Sequence, residues 1–127
     1  MDSKLMQNGA FSWFELCTND ANAAKSFYSG LFGWDLRDMP MQSMTYTVVR
    51  VGDEDVAGIM PIPAESQGMR PAWGMYITVD NVDAAAEKVR ELGGTILIEP
   101  RDIPEVGRFC VVQDPQGAWF SMMTYKK

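Results

Sequence analysis

Apolar and polar positions change period several times along this chain. Phe11-Ser-Trp-Phe-Glu-Leu-Cys-Thr18 is rich in aromatics, contains no Pro or Gly, and reads as a strand. Asn19 or Asp20 then offers an N-cap, and Ala23, Ala24, Phe27, Tyr28, Leu31 and Phe32 recur at helical spacing until Gly33 ends the run. Residues 34–39 suit a short strand and Met44–Val51 alternates as another. Gly52-Asp53-Glu54-Asp55 makes a hairpin turn, and residues 56–60 return from it. Residues 1–9 are polar and are expected to fray.

A stretch with three prolines, residues 61–72, marks a linker, after which the pattern starts again. Residues 73–79 read as a strand, Asp80 or Asn81 as an N-cap, residues 82–92 as a helix, and Gly93-Gly94 as its stop. Residues 95–99, 109–113 and 118–124 read as strands. Between the last two, Asp114-Pro-Gln-Gly117 carries a type I turn signal. A shift of about 61 positions lays Asn81 on Asp20, Ala84 and Ala85 on Ala23 and Ala24, Leu92 on Leu31, and Gly94 on Gly33. One domain over residues 1–127 is therefore expected, built from a βαβββ module at 9–60, the linker 61–72, and a second βαβββ module at 73–125. Its class is α+β.

Alternation assigns faces. Phe14, Leu16 and Thr18 point one way and Trp13, Glu15 and Cys17 the other; Met75, Ile77 and Val79 oppose Gly74, Tyr76 and Thr78. The apolar sets are expected under the helices. The mixed sets are expected to line a hollow between the modules, the default place for a ligand. Trp13, Glu15, Tyr46, Tyr76, Thr78, Trp119 and Ser121 are the candidate lining, and Arg108 a candidate clamp for a ligand carboxylate or else a surface ion-pair partner. Trp73 is a further aromatic candidate, and each Trp competes with a plain core role. Glu15 is a candidate general base if buried, or a structural carboxylate bonded to backbone or to a Tyr.

Composition narrows the chemistry. The 127 residues carry a net charge of −6 with 46% hydrophobic and 22% charged residues, and they include no histidine. A Ser/His/Asp triad is thereby excluded. The basic residues are scattered and argue against nucleic acid. Neither a phosphate-binding Gly-rich loop nor a run of ~18 apolar residues is present, and Met1-Asp2-Ser3-Lys4 lacks the basic start of a signal peptide. Cys17 and Cys110 are expected to be buried inert thiols in a cytoplasmic protein.

Phe11-x-Trp-x-Glu-Leu-x-Thr-x-Asp20, Phe27-Tyr-x-x-Leu-Phe-Gly-Trp34, Trp73-x-x-Tyr-Ile-x-Val-Asp80, Gly107-Arg-Phe109 and Asp114-Pro-Gln-Gly117 together resemble the vicinal oxygen chelate superfamily, which includes glyoxalase I, bleomycin resistance proteins and extradiol dioxygenases. The resemblance covers residues 9–125 and is nearest to bacterial glyoxalase-like proteins of unassigned substrate. It implies paired modules in a curved, incompletely closed eight-stranded barrel with the helices outside. It also implies a homodimer, for which exposed sheet edges give an independent reason, and a divalent metal held by His, Glu or Gln. The ligand positions it implies fall on Trp13, Gly74 and Ser121, with a fourth at or near Met60. None is a competent ligand for a catalytic divalent ion. The expectation is accordingly no metal and no cofactor: a metal-independent small-molecule binder for an apolar or aromatic ligand. The alternatives are a lyase or isomerase using Glu15 as general base, or a metal-dependent lyase or dioxygenase if an unforeseen metal site exists.

Overall fold

Local signals place the elements close to where the periodicity predicts them. The computed structural model describes residues 2–41, 44–66 and 68–126; Gln67, inside the expected linker, lies outside the described residues. In chain order the strands and helices are β1 (Phe11–Thr18), α1 (Ala21–Phe32), β2 (Asp35–Met41), β3 (Met44–Val51), β4 (Glu54–Pro61), β5 (Ala72–Thr78), α2 (Val82–Glu91), β6 (Thr95–Ile103), β7 (Gly107–Gln113) and β8 (Trp119–Tyr125). The two modules thus repeat one βαβββ order. Among the described residues, no helix is long and apolar enough to cross a membrane.

The caps explain the helix boundaries. Asp20 rather than Asn19 caps α1, accepting from the Ala23 backbone N–H at 3.0 Å, and Asn81 rather than Asp80 caps α2 through Ala84 at 3.1 Å. Gly33 ends α1 at φ 69°, a left-handed conformation that glycine adopts without a Cβ clash. In the turn after β7, the Gly117 N–H donates to the Asp114 carbonyl at 3.0 Å, while the Asp114 carboxylate accepts from the Gln116 and Ala118 N–H groups.

The chain divides into two compact units: Trp13–Gly74, and the residues up to Ser12 joined to those from Met75 onward. In the first, β1 runs parallel to β4, and β4–β3 and β3–β2 are antiparallel. In the second, β5 runs parallel to β8, and β8–β7 and β7–β6 are antiparallel. Each helix covers one face of its own four strands. Leu16, Val49, Ala57 and Ile59 are buried in the first core, against Ala21, Ala24 and Tyr28 of α1. Val82 and Ala86 of α2 pack on Cys110, Val112 and Met122 in the second. Each large side chain so buried contributes about 1.5–3 kcal/mol of transfer free energy.

Three expectations need correction. The N-terminal residues are not frayed. Ser3–Met6 form a 3-10 turn, the Gly9 N–H donates to the Thr78 carbonyl at 2.7 Å, and the Asp80 N–H donates to Asn8 Oδ1 at 2.9 Å. Backbone hydrogen bonding to the edge of β5 outweighs the polarity of the side chains there. Second, Phe14 does not join the core with Leu16; it is 48% exposed and lies outside the cluster under α1. Third, α1 buries none of its residues to the degree α2 does, and Phe27, Leu31 and Phe32 are 62%, 59% and 58% exposed. Apolar residues ring α1 on more than one side, and a sheet can cover only one stripe of a helix.

Candidate functional site

Alternation along β1 carries Leu16 into the core beneath α1 and turns Trp13, Glu15 and Cys17 to the opposite face. There the side chains form a directed chain of hydrogen bonds. The Trp13 Nε1–H donates to the Tyr46 hydroxyl at 2.8 Å, and that hydroxyl donates to Glu15 Oε2 at 2.7 Å. Tyr46 reaches this position from β3 because Gly58 of β4 has no side chain. A Cβ at residue 58 would fall 1.9 Å from Tyr46 Oη and 2.1 Å from Cζ. Glu15 stands opposite Gly58 in the β1–β4 register, so the ring lies across the backbone beside the carboxylate.

The electrostatics follow from burial. Desolvation first, and the neighbouring Glu15 charge second, hold the Tyr46 phenol proton far above its usual range; the hydrogen bond from Trp13 works the other way. Tyr46 is therefore a neutral donor and the Glu15 carboxylate its acceptor. Glu15 is thus hydrogen-bonded to a Tyr. Burial pushes the Cys17 thiol up to about 12, with the Glu15 charge adding to it, and the Cys110 thiol up to about 11. Both cysteines are free and buried, a protonated state in which neither is an activated nucleophile.

Apart from Trp73, the remaining candidates belong to the other unit. Tyr76 stands beside Ser121 in the β5–β8 register, both buried, and its ring lies 6.4 Å from that of Phe109. Met122 enters the core under α2, so Trp119 and Ser121 share the face away from that helix. Thr78 is buried and donates to the Leu5 carbonyl. Arg108 sits in a surface ion-pair cluster, with Nε 2.9 Å from Asp83 and Nη1 3.2 Å from Asp102, both of which strengthen its hold on its proton. That is the surface-pair alternative for Arg108. Trp73 joins an aromatic group instead: its ring meets those of Tyr28 at 5.5 Å and Trp34 at 6.0 Å, and its Nε1–H donates to the Tyr28 hydroxyl at 3.1 Å.

Sequence reasoning did not single out Gly58. The signal was present, since an isolated glycine inside a strand marks close approach of another group. The linkage of Trp13 to Glu15 through Tyr46 had no sequence signal, because the bonded residues lie 33 and 31 positions apart.

Chemistry of the donor set tests the metal that the resemblance implies. Trp13 offers only an N–H donor, and that is engaged by Tyr46; Met60 offers a soft thioether, Gly74 nothing, and Ser121 a neutral hydroxyl. Among the described residues, no three His, Cys, Asp or Glu side chains come together as a metal-binding group. The residues present do not fit a divalent ion.

The chain is 40% identical over 115 residues to CFP32 of Mycobacterium tuberculosis, a protein whose name assigns it to the glyoxylases, in a match covering 88% of the chain and 44% of the relative. It is 32% identical over 127 residues to the anthracycline biosynthesis protein DnrV of Streptomyces peucetius, covering 90% and 46%. The chain thus spans less than half the length of these relatives. Among solved structures, methylmalonyl-CoA epimerase from M. tuberculosis superposes with a TM-score of 0.67 at 16% identity, covering 100% of this chain and 94% of that one, which shows a shared fold. Residues 10–122 match the description of one family, and the chain belongs to it: the glyoxalase/bleomycin resistance protein/dioxygenase superfamily.

Proposed function

We propose that the protein binds a small molecule without a metal, on the strand face of Trp13–Gly74 that carries Trp13, Tyr46 and Glu15. One observation carries this reading: at the position where the resemblance puts a first metal ligand stands Trp13, tied through Tyr46 to a carboxylate. The indole and phenol rings supply flat apolar surface, and Glu15 supplies negative charge and acceptor capacity beside it. The ligand class that suits such a surface is aromatic or largely apolar, with a basic or hydrogen-bond-donating group set against Glu15. Two free buried thiols suit a cytoplasmic setting.

A thermal-shift screen against metabolites and antibiotics tests the reading, with anthracyclines included because DnrV is named for their biosynthesis. Hits are expected to raise the melting temperature of the wild type and to lose that effect in Trp13→Ala. If no compound shifts the wild type, or every shift survives in Trp13→Ala, the assignment fails. Metal analysis of protein purified without chelator is expected to find no stoichiometric divalent ion. Turnover that stops in Glu15→Gln while ligand still binds would replace the binding protein with the Glu15-based lyase or isomerase.

A further inference from the structure

The unit Trp13–Gly74 holds a cavity on the α1 side of β1, opposite the strand face that carries Trp13, Tyr46 and Glu15. Leu16 and Thr18 of β1, Asp20 at the start of α1, Phe27 and Tyr28 of α1, and Trp73 line it. Its volume is about 350 Å³, at the small end of the ~300–1,000 Å³ of ordinary ligand pockets. Three of the lining rings stand at right angles. Phe27 meets Tyr28 with centroids 5.0 Å apart and planes at 86°, and Trp73 meets Tyr28 at 5.5 Å and 80°. The Trp73 Nε1–H donates to the Tyr28 hydroxyl at 3.1 Å, and Trp34 and Phe32 stack near-parallel with the Tyr28 ring. The walls are thus set before a ligand arrives, which lowers the cost of binding.

The fold does not require this arrangement. The repeat register lays Phe27 on Lys88, Tyr28 on Val89 and Asp20 on Asn81. The second module builds the same βαβββ order with a cation, an aliphatic side chain and a neutral amide at those three positions. The first has two rings and a carboxylate there, and it leaves Phe27 and Trp73 exposed to solvent. Large apolar side chains grouped at the surface around a cavity mark a place of binding rather than of packing.

Charge and shape decide the ligand. Asp20 supplies a carboxylate to the lining; among the described residues no Lys or Arg lines the cavity, and Lys25 of α1 is engaged by Asp38 at 3.1 Å. Asp20 Oδ1 accepts the Ala23 N–H as the helix cap, which leaves Oδ2 as an acceptor. The full charge of that carboxylate outweighs the ~+0.5 charge of the helix start. An anion would meet Asp20 and a net charge of −6, whereas a cation gains from both and from the ring faces. A flat ring can stack on only one of several walls set at right angles, while a rounded group touches more than one. We infer that Asp20, Phe27, Tyr28 and Trp73 form a binding site for an alkylated ammonium group, the compact organic cation of a quaternary or methylated amine.

Isothermal titration calorimetry of the full chain at low ionic strength tests it. The probes are choline and 3,3-dimethylbutan-1-ol, its uncharged isostere with carbon in place of nitrogen. Choline is expected to bind one to one, and the isostere at least about tenfold more weakly. Trp73→Leu keeps an apolar side chain but removes a ring, and is expected to weaken choline at least about tenfold. Asp20→Asn keeps a good N-cap, the residue type that Asn81 supplies to α2. It is expected to weaken choline about threefold or more and to reduce the salt dependence of binding, with an unchanged far-ultraviolet spectrum. Glu54→Gln removes an exposed carboxylate outside the cavity and is expected to leave choline affinity unchanged. A wild type that does not bind choline, equal affinity for choline and its isostere, or a choline affinity unaltered in both Asp20→Asn and Trp73→Leu overturns the inference. So does a choline signal that Trp13→Ala abolishes and Trp73→Leu leaves intact, since the cation then sits on the opposite strand face.

Discussion

Tyr46 donates its hydroxyl proton to Glu15 Oε2 at 2.7 Å while accepting the Trp13 indole N–H at 2.8 Å. One phenol thereby fixes both the acid and the largest ring on that strand face. Tyr46→Phe removes the bridge while keeping the ring, and leaves the indole and carboxylate without that partner. It is expected to lower stability by about 1–3 kcal/mol, read from denaturant unfolding. A double-mutant cycle with Glu15→Gln is expected to give a coupling of about 0.5 kcal/mol or more.

The missing side chain of Gly58 is what admits the Tyr46 ring. Gly58→Ala puts a methyl where the phenol lies, so the ring has to move and the hydrogen bonds on either side of it go with it. A loss of about 1–3 kcal/mol is expected from overpacking, together with a change in tryptophan emission as Trp13 loses its acceptor. Ala57→Gly, one residue away on the core face, is expected to leave that emission unchanged.

Both thiols resist ionisation, which yields a labelling and a pH outcome. With Cys17 held to about 12 and Cys110 to about 11, the native protein is expected to react with a thiol reagent near pH 8 far more slowly than after unfolding. Each folded value lies above the ordinary 9.0. The stabilisation is therefore whole below about pH 9 and is lost as pH rises toward the folded values, because the unfolded chain releases its protons first. Tyr46, also raised, acts in the same direction. The melting temperature is expected to fall from about pH 9 upward, and Cys17→Ala to flatten that fall. An equal alkaline slope in the variant would count against the buried-thiol account.

Arg108 bonds to Asp83 and Asp102 at the surface, all three side chains being more than a third exposed. Solvent screens such pairs, so Arg108→Ala is expected to change stability by no more than about 1 kcal/mol and to cost less in high salt. A larger loss in chemical denaturation would assign Arg108 a role that its exposed pairs do not explain.

Much of the secondary structure was legible because its signals are local. A capping side chain reaches three residues along the chain, a left-handed stop needs one glycine, and strand alternation has a period of two. Asp20, Asn81, Gly33 and the Asp114 turn could therefore be read without knowing what each element touches. The same locality misled at α1. Periodicity marks which residues are apolar, and Phe27, Leu31 and Phe32 are, but it does not say how wide a stripe the sheet can cover.

By itself, then, the sequence determined the repeated βαβββ order, the family and the want of metal-binding side chains at the expected positions, all of which depend on residue type and short-range spacing. Only the tertiary structure decided that Tyr46 joins Trp13 to Glu15 over Gly58, that the N-terminal segment bonds to β5, and that α1 keeps Phe27, Leu31 and Phe32 in solvent. Those outcomes depend on which strands become neighbours and how closely their backbones approach, and chain spacing does not encode either.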